Sequence, residues 1–249
     1  MDVQAYLDRI NYHGSLSPTA ETLRQLHLAH LLTVPFENLS IHAREPIVLE
    51  DEALFRKIVT GRRGGFCYEL NGLFAALLRA MGFEVAMLSA QVANVEGSFS
   101  EEFDHMTLLV ALEERWLVDV GFGESFVEPL LLDERDAQVQ RNLGYRIVGD
   151  GERMIMQRAD HGNEWKAQYR FTLKPYQYAD YAERCEYQQT SPLSHFTQNR
   201  ICSRLTPEGR ISLSDMRLIT TEGGQRHEQT AATQEEYEKL LREHFGVRM

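Results

Sequence analysis

Residues 62–82 read RRGGFCYELNGLFAALLRAMG, and this stretch predicts a helix that presents a cysteine at its start. Apolar residues follow Cys67 at the three- and four-residue spacing of a helix with one buried face, and Gly82 is a typical helix stop. Unpaired backbone N–H groups at a helix start and the cations Arg62 and Arg63 both favour thiolate over thiol. We therefore expect a nucleophilic sulfur at Cys67.

The alternative is that Cys67 is an ordinary buried cysteine. A free cysteine usually packs as a small apolar group, and we keep that interpretation for Cys185 and Cys202. For Cys67 the adjacent glycines, arginines and helix start favour catalysis.

Composition limits the other functions that the chain could have. The chain has 249 residues with 37 acidic against 26 basic side chains, a formal net charge of −11, which argues against a nucleic-acid or anionic-membrane partner. Three cysteines without a CxxC motif predict neither a disulfide framework nor a thiolate zinc site. No signal peptide or membrane-spanning run is recognisable, so we expect a reducing cytoplasm.

The periodicity of the chain changes after Gly82. Before it, helices are predicted at 19–32 and 50–59. After it, short strands are predicted in series at 85–90, 106–112, 115–120, 144–148, 153–158 and 165–172. Such a series suggests a closed or strongly curled antiparallel sheet. From residue 191 onward we predict a hairpin of strands 201–205 and 210–213, and a closing helix at 235–245.

A nucleophilic cysteine needs an imidazole, and that imidazole needs a carboxylate or amide that fixes its tautomer. His105 stands at the start of a buried strand, and Asp119 lies in the apolar run 116–120, where a carboxylate should be partnered. The alternatives are a half-buried strand residue for His105 and a strand-end turn residue for Asp119.

Strand register alone does not join these two residues. With a two-residue turn at Glu113-Glu114, Asp119 faces away from His105. With a three-residue turn it faces the same side but lies opposite Leu109, too far along the strand. A bulge or strong bend would then be required for contact.

Three segments, VPFENL at 34–39, RGGFCYELN at 63–71 and WLVDVGFG at 116–123, closely resemble the arylamine N-acetyltransferase family. The resemblance extends over nearly the whole chain, including LHLAH at 26–30 and SPLSHF at 191–196. It implies an α+β fold with a cysteine-protease-like catalytic core. The implied parts are an N-terminal helical bundle with the nucleophile (1–84), a central antiparallel β-barrel with the histidine and aspartate (85–190), and a C-terminal α/β lid (191–249).

The same resemblance implies a catalytic triad of Cys67, His105 and Asp119 and a ping-pong reaction in xenobiotic metabolism. Acetyl-CoA would acetylate the cysteine, and an arylamine or arylhydrazine would accept the acetyl group. Two other functions stay open: a cysteine hydrolase that uses water as acceptor, and an inactive binding protein that keeps the scaffold. The preferred amine, the acyl-chain preference and the oligomeric state are left open by the sequence.

An aromatic acceptor needs an apolar pocket with ring faces. The resemblance puts Phe36 and Phe122 near the thiol. Phe66 and Phe126 are further candidates for which a plain core role is equally compatible with the sequence, and Val92 is a weaker candidate for the pocket wall.

Two pairs of residues are expected to support the site. Gly121 and Gly123 would permit close backbone approach to a ligand such as CoA. Arg63 and Glu37 lie in two of the matched motifs, and we predict that they form a structural ion pair under the Cys67 loop. The alternative is that Arg63 stays free to lower the pKa of the thiol.

One histidine pair has a spacing compatible with metal binding. His27 and His30 share one helix face, but no third ligand has a suitable spacing. We predict no metal.

Overall fold

The structure is a computed structural model that describes residues 1–160 and 164–249. Its helices lie mainly in the first third of the chain. The α-helices are α1 (Val3–Arg9), α2 (Ala20–Thr33), α3 (Leu39–Ala43), α4 (Asp51–Phe55), α5 (Cys67–Ala80), α6 (Ala182–Thr190), α7 (His195–Gln198) and α8 (Gln234–Leu240). Single π-helical turns follow α4 at Arg56–Thr60 and α8 at Leu241–Phe245, and a 3₁₀ turn at Tyr178–Tyr181 precedes α6. The predicted helices at 19–32, 50–59 and 235–245 are therefore present, the last two with a π-helical second half.

Helix α5 forms as its sequence predicts. At its start, the carboxylate of Glu69 accepts a hydrogen bond from the backbone N–H of Phe66 at 3.1 Å, which satisfies one of the donors at the helix N-terminus. At its end, Gly82 adopts a φ of +92°, a left-handed conformation that glycine accepts without strain. Twelve of its residues are buried, so the helix runs through the core.

The larger sheet has eight antiparallel strands among the described residues. In order across the sheet they are β5 (Leu130–Leu131), β4 (Arg115–Val118), β3 (His105–Ala111), β2 (Glu84–Val92), β9 (Lys166–Tyr176), β8 (Arg153–Asp160), β7 (Leu143–Asp150) and β6 (Gln138–Gln140). The predicted strands are all included, most of them longer than predicted.

Two glutamines join the edges of this sheet. The side chain of Gln138 on β6 accepts from the N–H of Leu131 at 2.8 Å and donates to its carbonyl at 3.0 Å. Gln140 makes the equivalent pair of bonds to the backbone of Glu128. Side-chain amides thus replace backbone pairing between β6 and β5, and the sheet is nearly closed into a barrel, as predicted.

The smaller sheet has the order β1 (Phe36–Glu37), β10 (Ile201–Thr206), β11 (Gly209–Ser214), β12 (Arg217–Glu222) and β13 (Gln225–Thr230). The hairpin predicted at 201–213 is β10–β11. Strands β12 and β13 were not predicted. For β13 the usual signal is missing, because each of its residues is exposed and its sequence has no apolar period. Pairing of β1 with β10 ties the segment before α3 to the C-terminal sheet.

Among the described residues, three hydrophobic clusters form the core. One packs α1, α2 and α5 against β3 and β4, one fills the barrel, and one lies between the smaller sheet and α8. The first cluster includes residues on both sides of position 84, so the boundaries 1–84, 85–190 and 191–249 remain a prediction. Within the described residues, no helix combines the length and apolar character needed to cross a membrane.

Candidate active site

Cys67 is the first residue of α5 and lines a cavity of about 550 Å³. Cys67 is 3 % exposed, so only a small part of it is open to that cavity. Helix α5 supplies the cysteine, β3 and the loop after β4 supply one wall, and α6, α7, β10 and β11 supply the other. His105 lines the same cavity.

His105 and Asp119 are in direct contact. Nε2 of His105 lies 2.7 Å from Oδ2 of Asp119, and both side chains are buried. With the Nε2 proton donated to the carboxylate, the lone pair of the ring is on Nδ1.

The strand register that brings His105 and Asp119 together differs from the predicted one. Strand β3 pairs with β4 so that Leu109 lies opposite Leu117 and Ala111 opposite Arg115, which makes Leu112 the first of three turn residues. Continued by one step, this register puts Asp119 across from Thr107, diagonal to His105 and on the same face. The predicted need for a bulge is therefore wrong, because it assumed a turn that began one residue later.

Asp119 is held by donors on every side. Its Oδ1 accepts from Nδ2 of Asn71 at 2.9 Å and from the N–H of Gly121 at 3.0 Å. Burial raises the pKa of this carboxyl, but the attraction of His105 and the hydrogen bonds from His105, Asn71 and Gly121 outweigh it, so the net pKa lies below its usual value. Asn71 also accepts from the N–H of Val120 at 2.9 Å and so fixes the loop that carries Asp119 to α5.

The resting thiol is not acidified by its surroundings. Burial raises the pKa of Cys67 well above its ordinary value, a hydrogen bond from the backbone of Met106 opposes this, and the charges of Asp104 and Asp119 raise it further. Contrary to expectation, neither Arg62 nor Arg63 is among the groups that shift this pKa, and Arg63 is paired with Glu37. An anionic sulfur here requires a cation formed nearby, and His105, which lines the same cavity, carries an imidazole that can accept a proton.

Arg63 contacts Glu37. Nε of Arg63 donates to Oε1 of Glu37 at 3.0 Å, and Nη2 donates to Oε2 at 3.3 Å. Glu37 is fully buried and also accepts from the backbone N–H groups of Gly64 and Leu39. The pair therefore joins β1 to the loop that leads into Cys67.

We expect Glu37→Gln to lower the free energy of unfolding by about 3 kcal/mol, since it leaves a mostly buried guanidinium without its carboxylate. Glu45, which lies 3.5 Å from Nη1 of Arg63 and is largely exposed, offers a matched control. Glu45→Gln should change stability by less than about 1 kcal/mol. Urea unfolding of the two variants checks both values, and equal effects would mean that the buried pair does not support the loop.

Gly121 is required by its closeness to the cysteine. A Cβ at this position would lie 2.8 Å from Cα of Cys67 and 2.8 Å from Nδ2 of Asn71, too close for any other residue without movement of α5. Gly121 and Gly123 both line the cavity, and Gly123 has a φ of +83°.

The candidate pocket residues separate into two groups. Phe36, Phe122 and Val92 line the cavity. The ring of Phe122 meets that of His105 edge-on at 5.1 Å. Phe66 and Phe126 lie outside the lining and are 0 % and 1 % exposed, so the structure favours the core alternative for these two.

His27 and His30 pack within the core. The two ring nitrogens of His27 each lie 3.0 Å from a backbone carbonyl, those of Val127 and Asp119, and burial lowers its pKa to about 4. Nδ1 of His30 pairs with the hydroxyl of Tyr6. In the parts of the chain that the structure describes, no three His, Cys, Asp or Glu side chains are grouped as metal ligands.

Several cavity residues were not identified from the sequence. Asp104 precedes His105 directly, and its position next to a candidate base could have drawn attention to it. Leu193, Ser194, His195 and Phe196 belong to the matched segment SPLSHF, which could have drawn attention to them. The remaining lining residues lie outside the matched segments: Glu124, Arg184, Tyr187, Gln188, Ile201, Ser203, Arg210 and Ser212.

Comparison with known proteins gives consistent results. A family model described as N-acetyltransferase matches residues 19–249. An arylamine N-acetyltransferase of Escherichia coli is 35% identical over 90% of this chain and 80% of its own length. An arylamine N-acetyltransferase / N-hydroxyarylamine O-acetyltransferase of Salmonella typhimurium is 34% identical over 98% of this chain and 88% of its own length.

Solved structures agree with these relatives. The arylamine N-acetyltransferase of Salmonella typhimurium superposes with a TM-score of 0.93 at 34% identity, over 98% of this chain and 90% of that one. The Mycobacterium marinum enzyme in complex with CoA superposes with a TM-score of 0.91 at 31% identity, over 99% and 93% of the two chains.

Proposed function

Because the chain belongs to the arylamine N-acetyltransferase family, we propose that Cys67 carries an acetyl group from acetyl-CoA to an arylamine or arylhydrazine. The observation that supports this most strongly is the buried His105–Asp119 pair in the cavity that Cys67 lines. The pair supplies a base whose tautomer is fixed, beside a cysteine at a helix start.

In the first half-reaction, Nδ1 of His105 takes the proton of the Cys67 thiol, and Asp119 stabilises the imidazolium that forms. The thiolate attacks the carbonyl carbon of the thioester and gives a tetrahedral intermediate. The backbone N–H groups in the first turn of α5 have no partner inside the helix, and they adjoin Cys67 in the sequence. We expect them to stabilise the oxyanion of this intermediate. The bond to the CoA sulfur then breaks, and CoA leaves with the proton from His105.

In the second half-reaction, the amine attacks the acetyl-cysteine. His105 accepts a proton from the attacking nitrogen, the bond from carbon to the Cys67 sulfur breaks, and the amide product leaves. Aromatic amines suit this step because their low basicity keeps them uncharged and nucleophilic at neutral pH.

The acceptor would bind between aromatic side chains. Phe36 and Phe122 offer ring faces in the cavity, and Val92 adds an aliphatic wall. A volume of about 550 Å³ is of the size that holds a small aromatic ligand.

Acetyl-CoA as co-substrate also fits the surface next to the cavity. A second cavity of about 810 Å³ shares Glu124, Arg210 and Ser212 with the first, and Arg141 and Arg226 lie on its lining. These arginines could pair with the phosphates of CoA, while its thioester reaches Cys67 past Gly121 and Gly123. No metal takes part in the proposed reaction.

Two further parts of the proposal concern the cellular role. We place the enzyme in the cytoplasm, where its free cysteines would stay reduced, and we propose xenobiotic aromatic amines as acceptors. We propose neither a nucleic-acid nor a membrane partner, because the net charge of −11 would repel both.

Mass spectrometry of the purified protein tests the proposal. Acetyl-CoA without amine should add one acetyl mass, located on the Cys67 peptide, while the Cys185 and Cys202 peptides serve as internal controls. An arylamine should then remove the label and appear as its amide. An acetyl-enzyme that water discharges as fast as the amine would instead indicate a hydrolase, and no label at all would indicate a binding protein.

A further inference from the structure

Asp104 brings a second negative charge to the cavity. It stands directly before His105, and its Oδ1 accepts hydrogen bonds from Nε of Arg184 at 2.8 Å and from the amide of Gln188 at 2.6 Å. Nη2 of Arg184 donates to the same oxygen. Among the described residues, Arg184 is the only lysine or arginine within 4.0 Å of this carboxylate.

The charge of Asp104 opposes the chemistry proposed for Cys67. After burial, Asp104 is the first of the neighbouring charges that raise the pKa of the thiol. Asp119 acts in the same direction but orients His105 in return, whereas Asp104 makes no hydrogen bond to that ring in the described structure. An unpaired carboxylate here would therefore hinder thiolate formation without any compensating contact.

The guanidinium of Arg184 is held in place by its own segment. It stacks over the ring of Tyr187 at 4.3 Å. The side chain of Gln188 is fixed in turn by Ser194, whose hydroxyl donates to Oε1 of Gln188 at 2.5 Å. Helix α6 and the turn before α7 thus present a prearranged cation and amide to Asp104.

We propose that Arg184 is a positioning residue for acetyl transfer: it neutralises Asp104 and so allows Cys67 to give its proton to His105 at neutral pH. This inference rests on the proposed role of Cys67 as nucleophile. It also makes the packing of α6 against the cavity a condition for reactivity, because the cation comes from that helix.

The phenols around the Cys67–His105 pair and the thiol of Cys185 stay uncharged near neutral pH. Burial raises the pKa of the surrounding phenols, and it raises the pKa of Cys185 to about 12. The charged and titratable groups near the pair include Tyr68 on α5, Asp104 directly before β3, Asp119 after β4, Tyr169 on β9, Tyr181 before α6, and Arg184 and Cys185 on α6. The cavity that Cys67 and His105 line also contains Glu124, Tyr187, His195 and Arg210.

The pH dependence of Cys67 alkylation by iodoacetamide tests the proposal without acetyl-CoA or an amine. Arg184→Gln should shift the alkylation profile up by about one pH unit, so that the rate at pH 7 falls about tenfold. Arg184→Gln combined with Asp104→Asn should restore the wild-type profile within about threefold, since the opposing charge is gone. Asp104→Asn alone should shift the profile down, and Arg184→Lys should keep it close to wild type.

The matched control is Arg115→Gln, which removes a bidentate ion pair with Asp133 on the exposed surface. This variant should leave the alkylation profile unchanged. If Arg184→Gln and the double variant lose alkylation rate equally, Arg184 has only a structural role and the inference is overturned. If Arg184→Gln does not fold, a profile of Asp104→Asn that fails to move down would overturn it as well. A wild-type Cys67 that alkylates no faster than a free thiol would instead contradict the proposed nucleophile.

Discussion

Replacement of Cys67 by serine should reduce acetyl transfer by about 10⁴-fold or more, since a hydroxyl is far less acidic than a thiol and a much poorer nucleophile near neutral pH. The thiolate requires His105 to take a proton from a buried group whose pKa is already raised by burial. A serine hydroxyl would start from a still higher pKa. Initial rates of CoA release with a saturating arylamine measure the loss.

The fold should survive this substitution, because the two side chains differ by one atom and α5 is capped by Glu69 rather than by residue 67. Cys202→Ser is the matched control, since Cys202 is equally buried but packs in the cluster under the smaller sheet. We expect that control to keep the rate within about threefold, although it can lose some stability. A Cys67→Ser enzyme with more than a few per cent of wild-type turnover would show that another group is the nucleophile.

The sequence predicts the cysteine helix and most strands because their periods are local. Helix α5 has an apolar residue at nearly every core-facing position and a glycine after its last turn. The strand that carries His105 is almost entirely buried, which its apolar run foretells. These features depend only on residues that are close together in the sequence.

The pairing register of β3 and β4 was harder to predict than the presence of the two strands. The apolar side chain of Leu112 predicts that it belongs to β3, yet Leu112 belongs to the turn and packs at the edge of the first hydrophobic cluster. A one-residue error there moves Asp119 to a different partner on β3. The family resemblance supplied the contact that the register argument missed.

The Arg63–Glu37 pair could be predicted from two matched motifs, but polar contacts of residues outside any motif could not. Asp104 and Arg184 are 80 positions apart, and the sequence of α6 has a strongly polar mean hydropathy without an apolar stripe that would place it against the cavity. Likewise, aromatic type alone does not separate Phe122, which lines the cavity, from Phe126, which fills the barrel. Such distinctions arise from packing between segments.

Asp119→Asn should reduce kcat by about 10³- to 10⁴-fold. The carboxylate accepts from His105 on one oxygen and from Asn71 and Gly121 on the other. An asparagine has one acceptor oxygen, so its NH₂ group must face donors on one side. If it faces His105, the ring loses its fixed tautomer, and if it faces Asn71, a buried N–H opposes another N–H.

The same conflict should lower the free energy of unfolding by about 1–3 kcal/mol, the cost of an unsatisfied buried donor. Because the folded pKa of Asp119 lies below its unfolded value, the carboxylate stabilises the fold above the usual aspartate range, and this contribution is lost as pH falls through the folded pKa. The stability gap between wild type and Asp119→Asn should therefore be constant near neutral pH and shrink in acid. Asp133→Asn alters an exposed pair with Arg115 that solvent screens, so it should show a much smaller loss of stability and a correspondingly small change of that loss with pH. Turnover of Asp119→Asn within tenfold of wild type would mean that His105 does not need this carboxylate to act as a base.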